Sequence, residues 1–267
     1  LTRVGNPEEK VPTIHIAGTN GKGSTVTYLR CMLEELGLKV GTFTSPYIEH
    51  FNERIAINGQ GIPDHQIIKY VEKYQPLIKE MDQDASVSGI TEFETLTVMA
   101  LDYFLDKQVD IAIVEVGLGG LLDSTNIVKP ILTAITTIGK DHTEILGDTL
   151  EKIAFQKAGI IKENIPVVTG NIEENALAVI EAEAHKRHSR MYRYNQDYKV
   201  DYLHPDKNWG ETFHFYGDAG KLPNIKIPLL GRHQIENAAV AIQLFYLYCQ
   251  LRQINFRDRD VYQGLAK

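Results

Sequence analysis

One stretch constrains this chain more than any other: Ala17-Gly18-Thr19-Asn20-Gly21-Lys22-Gly23-Ser24-Thr25. An apolar run, Thr13 to Ala17, precedes it and reads as a buried strand. Val26 to Leu36 follows and reads as an amphipathic helix. Strand, glycine-rich turn and helix is the geometry of a phosphate cradle. Glycines let the backbone approach an anion, and the free N–H groups of a helix start point at it. Lys22 adds a charge, and Ser24 or Thr25 a hydroxyl for a metal ion. The match to the common P-loop pattern is incomplete. Ile16 stands where that pattern has its first glycine, and Gly23 where it has Ser or Thr after the lysine. Two readings stay open here: a shortened cradle, or a glycine turn with no ligand.

Length and charge narrow the setting. The 267 residues suffice for one large α/β domain or two small ones, and 43% hydrophobic content suits a packed core. A formal net charge of -7 with no long basic run argues against a nucleic-acid partner. No apolar run is long enough to span a bilayer, so no membrane partner is expected. No charged start with an apolar core marks a signal peptide. Cys31 and Cys249 lack metal-type spacing and read as reduced core cysteines of a cytoplasmic protein.

Strands are expected at Lys39 to Thr44, weakly at Arg54 to Ile57 before the Asn58-Gly59 turn, and at Val109 to Val116, Ile131 to Ile138 and Ile165 to Thr169. Ser45 to Arg54 reads as an ordered loop and Asp82 to Gly89 as a polar one. Helices are expected from a cap at Asp64 to Met81, from Thr91 to Leu105 with Glu94 completing a capping box, over Thr149 to Ala158, and over Glu173 to His188. This alternation, with several strands apolar on both faces, predicts an α/β fold: a mainly parallel sheet with helices on both faces. The pattern changes near Met191. Asp197 to Leu203, Glu211 to Tyr216 and Ile225 to Leu229 read as a small appended antiparallel sheet, placed within residues 191–230. A long helix follows from Gly231 to about Leu251, and the last residues begin another.

Ligands of doubly wound sheets bind outside the carboxyl ends of the strands. Four expected strand ends carry polar chemistry: the glycine turn, Ser45, Glu115 and Asp141-His142. Each has a plain structural alternative, as a turn, a cap or ion pair, or a surface histidine. Together, a hydroxyl, a carboxylate and an imidazole beside a phosphate cradle could complete a Mg²⁺ shell, although His is an unusual ligand for so hard an ion. No Asn-Lys-x-Asp run is present, which disfavours a GTPase, and strand 109–116 ends in Glu115 where P-loop proteins usually have Asp. Lys157, one turn before Gly159, reads on its own as a cation complementing a helix C-terminus.

The motifs in their order are similar to those of folylpolyglutamate synthases and bifunctional dihydrofolate synthases, in the Mur ligase superfamily. They are Gly18 to Ser24; Thr44-Ser45-Pro46 with Glu53-Arg54-Ile55; Glu115 to Gly120 with Leu122-Asp123-x-Thr125-Asn126; Ile138-Gly139-x-Asp141-His142; and Lys157-Ala158-Gly159. The resemblance spans about Asn6 to Leu265. It implies an ATP-dependent amide ligase in which a folate or dihydropteroate carboxylate becomes an acyl phosphate that the amine of L-glutamate attacks. ATP and Mg²⁺ are then the expected cofactors, and a monomer is expected. By motif position, Asn20, Gly21, Lys22, Gly23, Ser24 and Asn237 would contact ATP. Ser45, Glu115, His142 and Lys157 would hold Mg²⁺, with Lys157 in the position of the family's carbamylated lysine. That reading displaces the helix-dipole one. Lys22, Lys157 and His142 are the expected catalytic groups. Thr91, Glu92, Phe93 and Glu94, with Leu122, Asp123 and Ser124, match segments that contact the pterin substrate.

The sequence departs from the family at Gln156, often Glu, and at Leu121, often Arg. Nothing in it matches the further C-terminal domain of family members or their first helix. The expectation is therefore one ATP-binding domain over 1–267, the C-terminal ligase domain absent, with poor turnover alone. Two other readings are a Mur-type ligase for another acid, which the Gly-Lys-Gly-Ser and Thr-Ser-Pro forms oppose, and a nucleotide-binding module without ligation.

Overall fold

The computed structural model describes residues 1–83, 89–218 and 220–267. The chain opens with β1 (Thr13–Ala17), α1 (Lys22–Glu35), β2 (Val40–Phe43), the pair β3 (Ile55–Ile57) and β4 (Gln60–Gly61), α2 (Asp64–Asp82) and α3 (Glu92–Asp106). It continues through β5 (Ile111–Glu115), β6 (Pro130–Ile135), α4 (Thr143–Leu146), α5 (Leu150–Ala158), β7 (Val167–Thr169), α6 (Glu174–Lys186) and β8 (Met191–Arg193). A three-stranded antiparallel sheet follows, β9 (Lys199–Pro205), β10 (Glu211–Gly217) and β11 (Gly220–Ile227), then α7 (Arg232–Arg252) and α8 (Asp258–Leu265).

Among the described residues, eight strands form one sheet in the order β4-β3-β2-β5-β1-β6-β7-β8. All pairs from β2 to β8 are parallel; β3 and β4 add an antiparallel edge. The reason lies in the apolar runs. Along β5, Ile111 and Ile113 join the cluster under α1 and α7, while Ala112 and Val114 join the one under α3. Both faces are buried, which parallel sheets require. From β1 the chain crosses to β2, whereas from β5 it crosses to β6 on the other side of β1. That reversal opens a crevice at the carboxyl ends of β1, β5 and β6.

Several boundaries differ from those read in the sequence. Helix α1 begins at Lys22 rather than Val26, because Gly21, at φ 84°, turns the chain directly into it. Low helix propensity of Gly23 and Ser24 hid this. Asp64 is the first helical residue of α2, after Pro63, instead of its cap. The capping box at Thr91 is present as expected, with Thr91 and Glu94 exchanging hydrogen bonds. β6 ends at Ile135, and Thr136 and Thr137 turn their hydroxyls to the cradle instead. The change of pattern near Met191 falls on β8, which pairs with β7 in the large sheet; the antiparallel sheet starts at Lys199. The polar loop expected from Asp82 to Gly89 lies, over residues 84–88, outside the described residues. No described helix is long and apolar enough to cross a membrane.

Candidate functional site

The cradle is pinned from three sides. The Thr19 amide donates to the Thr137 carbonyl (2.9 Å) and the Asn20 amide to the Thr137 hydroxyl (2.9 Å). The Thr136 hydroxyl donates to the Asn20 carbonyl (2.6 Å), and the Thr19 hydroxyl accepts from the Gly139 amide (2.9 Å). On the third side, the buried Asn237 carboxamide lies against Gly21, where any Cβ would overlap it. Gly21 also has left-handed backbone, so glycine is required twice over. Because α1 starts at Lys22, the amides of Lys22, Gly23 and Ser24 are the unpaired N–H groups of its first turn.

Two lysines meet at one oxygen. Lys22 Nζ donates to the Gly18 carbonyl at 3.0 Å and Lys157 Nζ to the same carbonyl at 3.1 Å. Lys157 is 5% exposed, and burial, then the charge of Lys22, pulls its amine down to about 8, against the opposing pull of Asp141 and Asp123. Glu115, 4% exposed at the end of β5, is the counterpart. Burial pushes its carboxyl up to about 7, against Lys22 at 3.9 Å and the Ser45 amide at 3.4 Å. Gly23 lies open beside it. A small cavity brings Lys22, Lys157, Asp141 and His142 together with Gly117 to Gly119. His142 is exposed, has left-handed backbone and precedes α4, a one-turn helix too short to read in the sequence. Among the described residues no cluster of three or more His, Cys, Asp or Glu side chains is arranged for a metal; the expected donors are of mixed kind instead.

The second expected segment lies alongside. Phe93 packs over Gly117 and stacks on Phe43 at 5.6 Å. Thr91 and Glu94 use their side chains in the capping box, and Glu92 is exposed. Leu122 is 89% exposed, whereas Asp123 accepts the Leu118 amide at 2.7 Å. Glu94 and Ser124 also line an apolar cleft of about 440 Å³ with Tyr74, Leu77, Val98 and Ile127. Sequence reasoning missed Thr136, Thr137 and the buried His15, which bonds Thr125 at 2.8 Å. The threonines had a usable signal, polar residues in succession at the end of an apolar strand; His15 inside such a strand had another.

The family description Mur ligase middle domain matches residues 16–245. The dihydrofolate synthase/folylpolyglutamate synthase of Bacillus subtilis is 47% identical over the whole chain, which covers 62% of that protein. The folylpolyglutamate synthase of Lacticaseibacillus casei is 39% identical, again with 100% and 62% coverage. A solved FPGS–AMPPCP–folate complex matches with a TM-score of 0.94 at 38% identity, covering 99% of this chain and 64% of that one. The chain thus spans about 62% of the length of the curated relatives it matches. Fold, cradle and sequence agree: the chain belongs to the Mur ligase middle-domain family, beside the folylpolyglutamate and dihydrofolate synthases.

Proposed function

We propose that this protein belongs to an ATP-dependent ligase that joins L-glutamate to folate, and to dihydropteroate as a second acceptor, through an acyl phosphate. The observation that carries the reading is the convergence of Lys22 and Lys157 on the Gly18 carbonyl beside a buried, undercompensated Glu115. Such a site suits an incoming polyphosphate and its cation. The likeness to a protein solved with AMPPCP and folate supports the same substrates.

In this reading Asn20 to Ser24 hold the triphosphate at the start of α1, and Asn237 contacts the nucleotide from α7. Lys22 offsets negative charge gathering on the phosphoryl group in transfer. The donor set fits Mg²⁺: Glu115 is a carboxylate short of hydrogen-bond donors, and Ser45 and His142 add a hydroxyl and an imidazole. When bound, the ion would supply positive charge to offset that of the phosphates. Lys157 as a bare ammonium would only donate. With its amine near 8, about a tenth is neutral at pH 7, and that fraction can add CO₂, forming an N–C bond and releasing one proton, to give the carbamate anion the metal site needs. Thr91 to Glu94 and Leu122 to Ser124 face the pterin. We place the protein in the cytoplasm, as a monomer; light scattering on the purified protein tests the monomer.

The test uses the native protein containing this chain, with ATP, labelled glutamate and either tetrahydrofolate or dihydropteroate. Glutamylated product and ADP should form together. Consumption of a UDP-muramyl acceptor with no glutamylated pterin would overturn the reading.

A further inference from the structure

His15 lies in the middle of β1, its backbone between Val114 of β5 and Thr133 of β6, and its ring is fully buried. Ile14 and Ile16 face the α7 side, so His15 faces the opposite side with Ala17. Its Nε2 is 2.8 Å from the hydroxyl of Thr125, itself fully buried. That hydroxyl and the Thr125 amide both meet one oxygen of Asp123, at 2.5 and 2.9 Å. An ionised carboxylate only accepts, so Thr125 donates its proton to Asp123 and has lone pairs left to accept from His15. His15 is therefore the donor at Nε2. Burial, then the charge of Lys162, holds the ring neutral, with its pKa near 3. Nδ1 then keeps a lone pair, buried with no hydrogen-bond partner among the described residues. The other oxygen of Asp123 accepts the Leu118 amide at 2.7 Å.

An orphaned ring nitrogen in the central strand of a core sheet costs stability, and an apolar side chain there would not. None of the steps above uses His15. We propose that His15 is a positioning residue for the acid-substrate site. It donates to Thr125, Thr125 donates to Asp123, and Asp123 holds the Leu118 amide, so the central strand fixes the shape of the loop Gly117 to Ser124. Three further bonds tie the same loop region down: the Leu121 amide to the Gln156 carbonyl (2.7 Å) and the Asn126 amide group to the Leu121 and Gly159 carbonyls. The first of these abuts Lys157. The link to substrate rests on the reading that this loop faces the pterin; the bond chain does not.

Three variants test it. His15→Gln keeps a donor near the place of Nε2, His15→Leu removes donor and orphan together, and Thr125→Val deletes the middle link from the other end. In the folded native protein, His15→Leu and Thr125→Val should raise amide hydrogen exchange at Leu118 at least tenfold. The KM for the pterin acid should rise by a similar factor and the KM for ATP by less than twofold. His15→Gln should stay within threefold of wild type on every measure, with a superimposable pH profile. Unchanged Leu118 exchange in folded His15→Leu and Thr125→Val overturns the proposal. So does loss of a pH limb in His15→Gln, which would make His15 a proton carrier. If His15→Leu fails to fold, Thr125→Val alone carries the exchange and KM readouts. Faster Leu118 exchange in a protein with no ligase activity supports the bond chain and sinks the functional reading instead.

Discussion

Two regions of this molecule bury carboxylates, and they treat them in opposite ways. In the seam between α2 and α3, Asp102 is 4% exposed and accepts from the Tyr74 hydroxyl and the Lys73 ammonium, each at 2.5 Å. One turn along, Asp106 accepts from the Tyr70 hydroxyl (2.6 Å) and Lys69 (3.0 Å), and the Tyr70 hydroxyl above all holds its pKa below the usual range. At the crevice, Glu115 is just as buried, yet it has one long amide contact at 3.4 Å and a lysine 3.9 Å away. A carboxylate that serves packing is saturated with donors. Glu115 is left short of donors, which on the reading proposed above leaves room for an incoming cation. Burial alone does not distinguish them; the donor count does.

The largest effect should come from the saturated side. Asp102→Ala strips the partner from the buried Tyr74 hydroxyl and from Lys73, and should cost about 3 kcal/mol in urea unfolding. Nucleotide affinity should not move. A loss under about 1 kcal/mol would show that the seam is not held by its carboxylate.

Glu115→Gln should act with the opposite sign. Its carboxyl titrates near 7 in the native protein against an ordinary 4.5, so the native state holds a proton that the unfolded state has lost between those values. Stability therefore falls as pH rises from about 4.5 to about 7. Removing the ionisable group should give back about 2 kcal/mol at pH 8 and flatten that slope. Magnesium-dependent nucleotide affinity should fall at least tenfold, as titration calorimetry would measure. A variant that is less stable than wild type at pH 8 would place Glu115 with the packing carboxylates.

The same contrast explains what was legible in the sequence. The parallel sheet could be read because Val109 to Val116 and its neighbours are apolar on both faces, and the cradle because glycine punctuation is local. The capping box at Thr91 was legible for the same reason. Tertiary hydrogen bonds were not. That Thr136 and Thr137 leave β6 to hold Asn20, or that His15 reaches Thr125 across 110 residues, depends on which strands become neighbours. The residues matched to the family motifs look alike in the sequence, and their unequal settings do not show there. Lys157 and Glu115 are buried and shifted, whereas His142 and Leu122 stand in the open. Short elements such as α4 and β8 carry too few residues to show a period.

The smallest effect belongs to Asp106, and it tests whether saturation or burial sets the size of the loss. Its side chain is 42% exposed, and so is half of its partner Lys69. Water can replace much of what they exchange, so Asp106→Asn should cost no more than about 1 kcal/mol at pH 7. Asn can still accept from Tyr70, which limits the loss further. The pKa of Asp106 is lowered in the native protein, so its contribution is present above the ordinary value of 3.8 and disappears as pH falls through the native one. Wild type and variant should therefore differ at pH 7 and converge only in acid below the native pKa of Asp106, itself under 3.8, where both folded and unfolded states carry the proton. A gap at pH 7 equal to that of Asp102→Ala would mean that donor saturation alone sets the energy of a carboxylate here, whatever its exposure.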